Sequence, residues 1–400
     1  MGKYIALSTV NDTLPEVSFV MPCLDEAETL ADCIVVAQRC IQEQGLAGEI
    51  VVADNGSTDG SQEIAERYGA RVVHVAEKGY GAALMGGFEA ARGRFLVMGD
   101  ADMSYDFGEA MPMIDRLRGG ADLVMGSRFL GTIEPGAMPW SHYWIGNPIL
   151  SLVGRILFHS PVSDFHCGFR ALTKSTYERL GLRTTGMEFA TELVVKAAAM
   201  RLRVDEVPVT LRPDGRSRPP HLRTWRDGWR HLRFMMSLSP RFTLFLPGLL
   251  MMVVGGVLLA RLSISPLDLG VAVLDIHTMQ LASLLMIVGY QGVTIAVAAR
   301  IYATSQALGP PGDWIQRMFE RFTLERGLIL GALLLLAGLG LIGQATWHWA
   351  QKDFGQLMPT ITMRPVLLGA TFVALSIQTL LMSFLYSMFG VPRRGSGPTL

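Results

Sequence analysis

Four long stretches, at residues 242–260, 278–299, 328–347 and 366–389, contain no Asp, Glu, Lys or Arg and constrain the chain more than anything else in it. Each runs about 19 to 24 residues, enough as a helix to cross the roughly 30 Å hydrocarbon core of a bilayer. A helix buried in a water-soluble core seldom needs that length without charge. The flanks predict an orientation. Arginines at 223–241 precede the first stretch, Arg300, Arg317, Arg321 and Arg326 lie between the second and third, and Arg393 and Arg394 follow the fourth. The other side carries only Arg261, Lys352 and Arg364. Excess positive charge stays on the cytoplasmic side, which places both termini and everything before the first stretch in the cytoplasm. Within the stretches the polar side chains include Gln280, Gln291 and Gln378, expected to be satisfied by neighbouring helices. The lack of ionisable residues at mid-depth argues against a pump or an ion pathway. An anchoring role in the cell membrane fits better.

Just before the first stretch, residues 223–236 read as a basic amphipathic helix. Trp225, Trp229, Leu232 and Met236 fall on one stripe, and Arg223, Arg226, Arg230 and Arg233 on another side. A core-facing helix with a solvated basic face has the same period. Tryptophans and arginines next to a spanning segment favour the headgroup region of a membrane. A second short interfacial helix is expected within 308–325, with Trp314, Met318 and Phe322 on one face.

Up to about Pro240 the pattern is different. Short apolar runs at residues 17–22, 49–54, 71–75, 95–98 and 122–125 alternate with helical segments at about 25-residue intervals, the pattern of an α/β doubly wound sheet. Residues 95–98 are apolar throughout, as in a strand covered on both faces. Asp25 with Glu28 has the form of a capping box for a helix reaching about Gln44, and Asp106 with Glu109 repeats it. Asp59 is a plausible N-cap for the helix through Ala65. A further helix is expected over 187–200, with Glu188 or Glu192 facing the site. The segment Lys78-Gly79-Tyr80-Gly81 opens a small-residue helix, where glycines let backbone N–H groups approach an anion and Lys78 adds charge. The net charge is zero, so bulk charge suggests no nucleic-acid partner. Cys23, Cys33, Cys40 and Cys167 show no metal or disulfide spacing and read as reduced thiols. Residues 1–15 lack the apolar core of a secretory signal, so the first domain is expected in the cytoplasm.

Ligands of open α/β sheets sit at the carboxyl ends of the strands. Asp54, Asp100, Asp102 and Arg128 all emerge there, with Glu26 close to the first strand's end. Asp100 and Asp102 repel each other unless a cation or donor lies between them. A hard divalent ion bridging to phosphate oxygens meets that need. The other reading has one Asp capping the next helix and its neighbour in solvent. His166 and His221 have no partners at metal-ligand spacing.

These segments, with Asn55-Gly56-Ser57-Thr58-Asp59-Gly60, Gly126-Ser127-Arg128, Asp164-Phe165-His166-Cys167-Gly168-Phe169-Arg170, Gly186-Met187-Glu188-Phe189, Glu206-Val207-Pro208 and Gly215-Arg216-Ser217-Arg218, occur in order over residues 15–235. In them the chain resembles the inverting family 2 glycosyltransferases of GT-A fold, most closely the polyprenyl-phosphate sugar transferases of the dolichol-phosphate mannose or glucose synthase type. The resemblance implies a Rossmann-like, mostly parallel catalytic domain at 1–222, the interfacial helix at 223–241 and a four-helix membrane domain at 242–400. It implies that Pro22 and Glu26 line a nucleoside pocket, that Asp54 contacts the base or ribose, and that Lys78 helps hold the donor. Asp100 and Asp102 would hold Mg²⁺ or Mn²⁺ on the donor diphosphate, and Arg128 the phosphate of a lipid acceptor.

Some positions depart from the family pattern. Leu24-Asp25 precede Glu26 where Tyr-Asn is usual, Asn55 replaces the second acid after the second strand, and Ser104 stands where some relatives carry a third metal ligand. Asp164 lies where relatives keep an acid near the acceptor, and with Asp102 and Arg128 it completes the expected catalytic set; orienting Arg170 or capping a helix is its other reading. Arg155, Arg170, Arg212, Arg216 and Arg218 are further candidates for the acceptor phosphate. Arg216 and Arg218 rank first, because Pro213 and Gly215 suggest a loop that closes over diphosphate. A phosphate monoester is already anionic at neutral pH, so no general base is expected.

The expected reaction moves a hexose from UDP-glucose or GDP-mannose to a polyprenyl phosphate. The partners are then a nucleotide diphosphate sugar, a lipid phosphate and the membrane, with room for an oligomer. Two other readings stand beside it. One is a family 2 transferase acting on another lipid or a polysaccharide, against which no Gln-x-x-Arg-Trp-type motif follows the α/β half. The other is a membrane scaffold that only binds nucleotide sugar, against which three strand ends keep their acids.

Overall fold

The apolar run at Phe95 forms strand β4 (Phe95–Met98), and all four of its side chains are wholly buried. Phe95 and Val97 enter the core on one face of the sheet, Leu96 and Met98 the core on the other. That alternation is the pleat of a strand covered on both sides. The structure, a computed structural model, describes residues 14–217, 224–305 and 323–389. It divides into two compact units, Met1–Met235 and Met236–Leu400.

In the first unit β1 (Val17–Cys23), α1 (Leu30–Glu43), β2 (Gly48–Asp54), α2 (Ser61–Arg67), β3 (Arg71–His74) and α3 (Tyr80–Ala90) lead to β4. A short 3₁₀ turn and α4 (Met111–Arg118) lead on to β5 (Leu123–Ile133). After it come α5 (Asn147–Phe158), β6 (Arg170–Thr173), α6 (Lys174–Leu180), α7 (Phe189–Ala199), β7 (Val204–Leu211) and α8 (Thr224–Ser237). The sheet has seven strands in the order β3-β2-β1-β4-β6-β5-β7. All neighbours are parallel except β6, which runs antiparallel to β4 and β5. This is the GT-A fold, α/β with a mostly parallel sheet.

All five expected strands form. The first continues through Pro22 to Cys23, because a proline on a strand still offers its carbonyl. β5 runs on to Ile133, past the expected end at Met125, by pairing with β7.

The helix starts need correction. α1 begins at Leu30, not in the Asp25–Glu28 segment, and Thr29 stands at its N-cap. Asp25 has a left-handed φ of 57° and accepts a hydrogen bond from the Thr58 N–H at 2.7 Å. Glu28 accepts instead from the Ser217 N–H at 2.7 Å. The capping box fails because two loops distant in sequence, at Thr58 and at Ser217, supply the donors instead. Asp106 does cap its turn, accepting from the Gly108 N–H at 2.8 Å, but Glu109 turns away to the Thr210 N–H. Gly60, not Asp59, is the N-cap of α2, and the Asp59 carboxylate instead bridges the Ser61 and Ala27 N–H groups.

α8 leaves Trp229 and Met236 exposed while His231 and Met235 are buried. The second unit holds α9 (Leu246–Ile264), a two-strand hairpin of β8 (Leu267–Asp268) and β9 (Val273–Leu274), α10 (Ile276–Ser305), α11 (Leu324–Ala350) and α12 (Pro359–Phe389). Among the described residues four helical segments are long and apolar enough to cross a membrane: Arg241–Ile264, Ile276–Tyr302, Leu324–Ala350 and Ile361–Phe389. They outrun the apolar stretches because helical hydrogen bonding continues through polar flanks, where Arg241 and Arg261 are exposed and Arg364 is buried and paired with Asp275.

Facing glycines bring α9 and α10 together, and a Cβ on Gly255 would lie 2.6 Å from the Met286 nitrogen. Hydroxyls join α10 to α12, with Ser283 to Thr371 and Tyr290 to Thr379 both 2.7 Å apart. Gln378 departs from expectation: its Oε1 is buried with no hydrogen-bond partner among the described residues. It lies about 100° around the helix from Thr379, off the face that meets α10. The interfacial helix expected within 308–325 falls largely outside the described residues, as do Arg218, His221, Arg223, Arg317, Arg321, Arg393 and Arg394.

Candidate active site

β2 ends in Asp54, whose carboxylate is 2 % exposed and accepts from the Gly56 and Ser57 N–H groups at 3.0 and 3.1 Å. Gln62 Nε2 adds a bond of 2.7 Å. Burial alone would raise its pKa, but these donors hold it below the usual carboxylate range. Asn55 beside it is buried. Its amide donates to the Val75 and Glu77 carbonyls and accepts from the Gly79 N–H at 2.8 Å. Lys78 Nζ donates to the Asn55 carbonyl.

The glycine segment therefore differs from an open anion cradle. The Gly79 N–H is taken by Asn55 and the Ala82 N–H by the Thr185 carbonyl. Gly79 has φ 136°, and a Cβ there would lie 2.2 Å from the Thr185 carbonyl oxygen. The glycines serve close approach of the loop before α7.

At the end of β4 the two acids meet separate partners. Tyr80 OH donates to Asp100 Oδ1 at 3.0 Å. Asp102, 7 % exposed, accepts from Ser104 N at 3.0 Å and from Ser104 Oγ on one oxygen. Its other oxygen accepts from Arg216 Nη2 at 2.6 Å, while Arg216 Nε reaches Glu26 at 3.0 Å. The loop after β7 is tied across this turn by the Gly215 N–H, which donates to the Asp102 carbonyl at 2.9 Å. Burial, then the negative charge of Asp102, pushes the Asp100 carboxyl up to about 7. The Tyr80 hydroxyl and the Arg216 charge oppose that rise only in part.

Among the described residues no group of three or more His, Cys, Asp or Glu side chains could hold a metal alone. Two carboxylates sharing one turn do suit Mg²⁺ or Mn²⁺, which take few protein ligands and complete their shell with substrate phosphate and water. The residues fit the ion as half of a site.

Arg128, on β5, lies flat against Asp164. Its Nε and Nη2 each reach a carboxylate oxygen at 2.7 Å, and its own N–H donates at 3.2 Å. Asp164 is wholly buried, and the Glu206 carboxylate accepts from the Ser163 N–H at 2.7 Å beside it. Burial opposes ionisation of Asp164, but Arg128 holds its pKa down. Asp164 thus orients Arg128 rather than Arg170. Tyr105 stands between the two halves, close to the charges of both Asp100 and Arg128, and its hydroxyl accepts from the Gly168 N–H at 3.0 Å.

Arg170 is no phosphate ligand. It is fully buried, with its guanidinium donating to the Cys167, Phe165 and Ala190 carbonyls. Arg212 pairs with Asp106 at 2.9 Å. Glu192 holds the Arg183 and Thr184 N–H groups and pairs with Lys196, so it is structural, whereas Glu188 pairs with Arg230 of α8 at 2.9 Å.

The family model for glycosyl transferase family 2 matches residues 18–181, and that for the family's C-terminal transmembrane region matches residues 297–390. The low-salt glycan biosynthesis hexosyltransferase Agl6 of Haloferax volcanii is 36% identical over 390 residues, 97% of this chain and 92% of that protein. The chain belongs to glycosyltransferase family 2. The dolichol-phosphate mannosyltransferase of Pyrococcus furiosus is 30% identical over 202 residues, 49% of this chain and 56% of that one. A crystal structure of glucosyl-3-phosphoglycerate synthase from Mycobacterium tuberculosis with Mn²⁺, UDP and glucosyl-3-phosphoglycerate aligns with TM-score 0.44 and 22% identity, over 56% of this chain and 78% of that one.

This glycosyltransferase is a membrane protein, and its candidate site gathers Glu26, Asp100, Asp102 and Arg216 around one turn, with Arg128 held by Asp164. Pro22 lies at the end of β1, in register with Ala53. Asn55, Tyr80 and Tyr105 went unassigned in sequence. Asn55 and Tyr80 stand inside motifs whose charged and glycine members carry the sequence signal; for Tyr105 the sequence carries none.

Proposed function

We propose that this glycosyltransferase moves a hexose, from UDP-glucose or GDP-mannose, to the phosphate of a polyprenyl lipid with the aid of Mg²⁺ or Mn²⁺. The observation that carries the reading is the pairing of two half-sites on one sheet edge. Asp100 and Asp102 offer carboxylates to a cation, and Arg128, fixed by Asp164, offers N–H groups to an anion. The name of the Pyrococcus relative supports a lipid-phosphate acceptor.

The bond from the sugar carbon to the donor diphosphate breaks as an acceptor phosphate oxygen bonds to that carbon from the opposite face. Asp100 and Asp102 would hold a divalent ion, which would supply positive charge against the negative charge growing on the leaving diphosphate. Arg128 positions the acceptor phosphate, and Asp164 keeps its guanidinium in one orientation. Arg216 lies where it would exchange its carboxylate partners for donor phosphate oxygens. The acceptor is already ionised, so no side chain needs to remove a proton. Glu26 and Pro22 border the nucleoside side, Asp54 shapes the turn there, and Lys78 adds charge at the exposed edge.

The working division is a catalytic domain at 1–222, an interfacial helix at 223–241 and the membrane domain at 242–400. The arginine-rich flanks favour a cytoplasmic catalytic domain and cytoplasmic termini. Membranes containing the protein, given labelled nucleotide sugars and polyprenyl phosphate with and without chelator, test the reading. Metal-dependent label in the organic phase supports it. Label found only in polymer, or none with any donor, would overturn it.

A further inference from the structure

The segment leading into α5, and α5 itself, are inside out. Trp140, Trp144, Ile145, Ile149, Leu152 and Ile156 are each between 46% and 69% exposed. Ile145, Ile149, Leu152 and Ile156 follow one another by four, three and four residues, which sets them on one stripe of the helix. The face turned toward the protein is made of small residues instead. Ser151 and Gly154 are buried, Ser151 Oγ accepts from the Phe165 N–H at 3.2 Å, and a Cβ on Gly154 would meet the Phe165 ring at 2.7 Å. A helix in a water-exposed domain does the reverse and turns its large apolar side chains inward.

An outward apolar face of this length needs a cover. Four helices among the described residues are able to span a bilayer, so a lipid surface is tethered to this domain by its own backbone. The charge matches as well. From residue 135 to 163 there is no Asp or Glu, and Arg155, which is exposed, is the segment's one Lys or Arg. Two tryptophans, aliphatic side chains and an arginine without acids match the chemistry of the headgroup boundary, where apolar groups leave water and cations meet anionic lipid.

We propose that the outer face of the segment from Trp140 to Ile156 lies in the lipid surface, as a membrane contact of the catalytic domain separate from the spanning helices. Beneath it opens a cleft of about 250 Å³ lined by Phe129, Pro148, Ser151, Leu152, Arg155 and Ser163. Leu152 belongs to both the cleft wall and the outer face. The contact stands on the helix's own geometry, whichever acceptor the enzyme uses.

The test uses the full chain reconstituted in vesicles containing anionic lipid. The four native cysteines are at most 4 % exposed, so a nitroxide reagent labels an introduced cysteine selectively. Ile149→Cys, Leu152→Cys and Ile156→Cys are compared with Glu66→Cys on the exposed side of α2. Collision rates with dissolved oxygen and with a water-soluble nickel complex are read at each site. The expected result is an oxygen-to-nickel ratio at least threefold higher at all three α5 sites than at Glu66→Cys. Ratios equal to the control would overturn the proposal. Exclusion of both reagents, with or without spin–spin broadening between labels, would assign the face to a protein partner or a second copy and would overturn it equally.

Discussion

The Arg216 guanidinium occupies the Asp102 carboxylate, with Nη2 2.6 Å from Oδ2. Ser104 takes the other oxygen with its N–H and hydroxyl, so both Asp102 oxygens are already hydrogen-bonded by the chain itself. A cation binding at Asp102 competes with Arg216. Arg216→Gln is therefore expected to bind Mn²⁺ more tightly without donor, on the order of tenfold, the strength of one charge-assisted hydrogen bond. Transfer should fall, because the same arginine is proposed to meet the donor phosphates. Mn²⁺ titration followed by electron paramagnetic resonance reads the first effect, and unchanged or weaker binding would count against it.

Asp102→Ala should abolish transfer and leave the fold intact, since the turn is also tied by the Gly215 N–H to the Asp102 carbonyl, a bond that survives the change. Circular dichroism and transfer assays with saturating metal check both halves. Normal activity would sink the metal assignment.

Asp164→Ala strands the Arg128 guanidinium, whose side chain is 9% exposed and bound at two points. Removing one member of a buried ion pair costs about 3–5 kcal/mol. A loss of that size in denaturant unfolding is expected, together with a raised KM for the lipid phosphate. A large loss of activity with no loss of stability would instead give Asp164 a direct role.

Much of this was legible in the sequence because it is periodic or paired. The run at 95–98 announced a strand covered on both faces, and charge-free stretches of spanning length announced the membrane helices. β6 was not legible, because its four residues begin with Arg170, an arginine whose burial is tolerated only through three backbone carbonyls supplied from elsewhere. Asp25 with Glu28 has the letters of a capping box, yet Thr58 and Ser217 outcompete the helix for those side chains. The acids at the strand ends were visible, while their partners Tyr80, Ser104 and Arg216 depend on loop geometry that spacing does not encode.

Gly81 is expected to tolerate no side chain. A Cβ there would lie 2.3 Å from the Thr184 carbonyl oxygen and 2.7 Å from Phe189 Cβ, contacts that only a backbone shift relieves. Gly81→Ala should cost about 1–3 kcal/mol, as overpacking does. The shift would also carry Tyr80, the adjacent residue, away from Asp100, so donor KM should rise. Thermal unfolding and donor titration together check this, and a neutral variant would contradict the close packing of α3 on the loop before α7.

His166 makes the first unit sensitive to acid. Both of its ring nitrogens are buried without a hydrogen-bond partner among the described residues, and its ring meets the His231 ring at 4.8 Å. Burial first, then the nearby charges of His231, Arg128 and Arg170, lower its pKa well below 6.5, with Asp164 opposing. The unfolded chain binds a proton near pH 6.5 that the folded chain refuses, so the contribution is fully present above that pH and is lost as pH falls below it. At one unit below, the loss from this residue is about 1.4 kcal/mol. Stability measured at pH 7.5 and 5.5 should fall by about that much more in the wild type than in His166→Gln, whatever the two proteins' absolute stabilities. Equal losses in both would show that His166 takes up its proton in the folded state, and the buried, neutral ring would have to be abandoned.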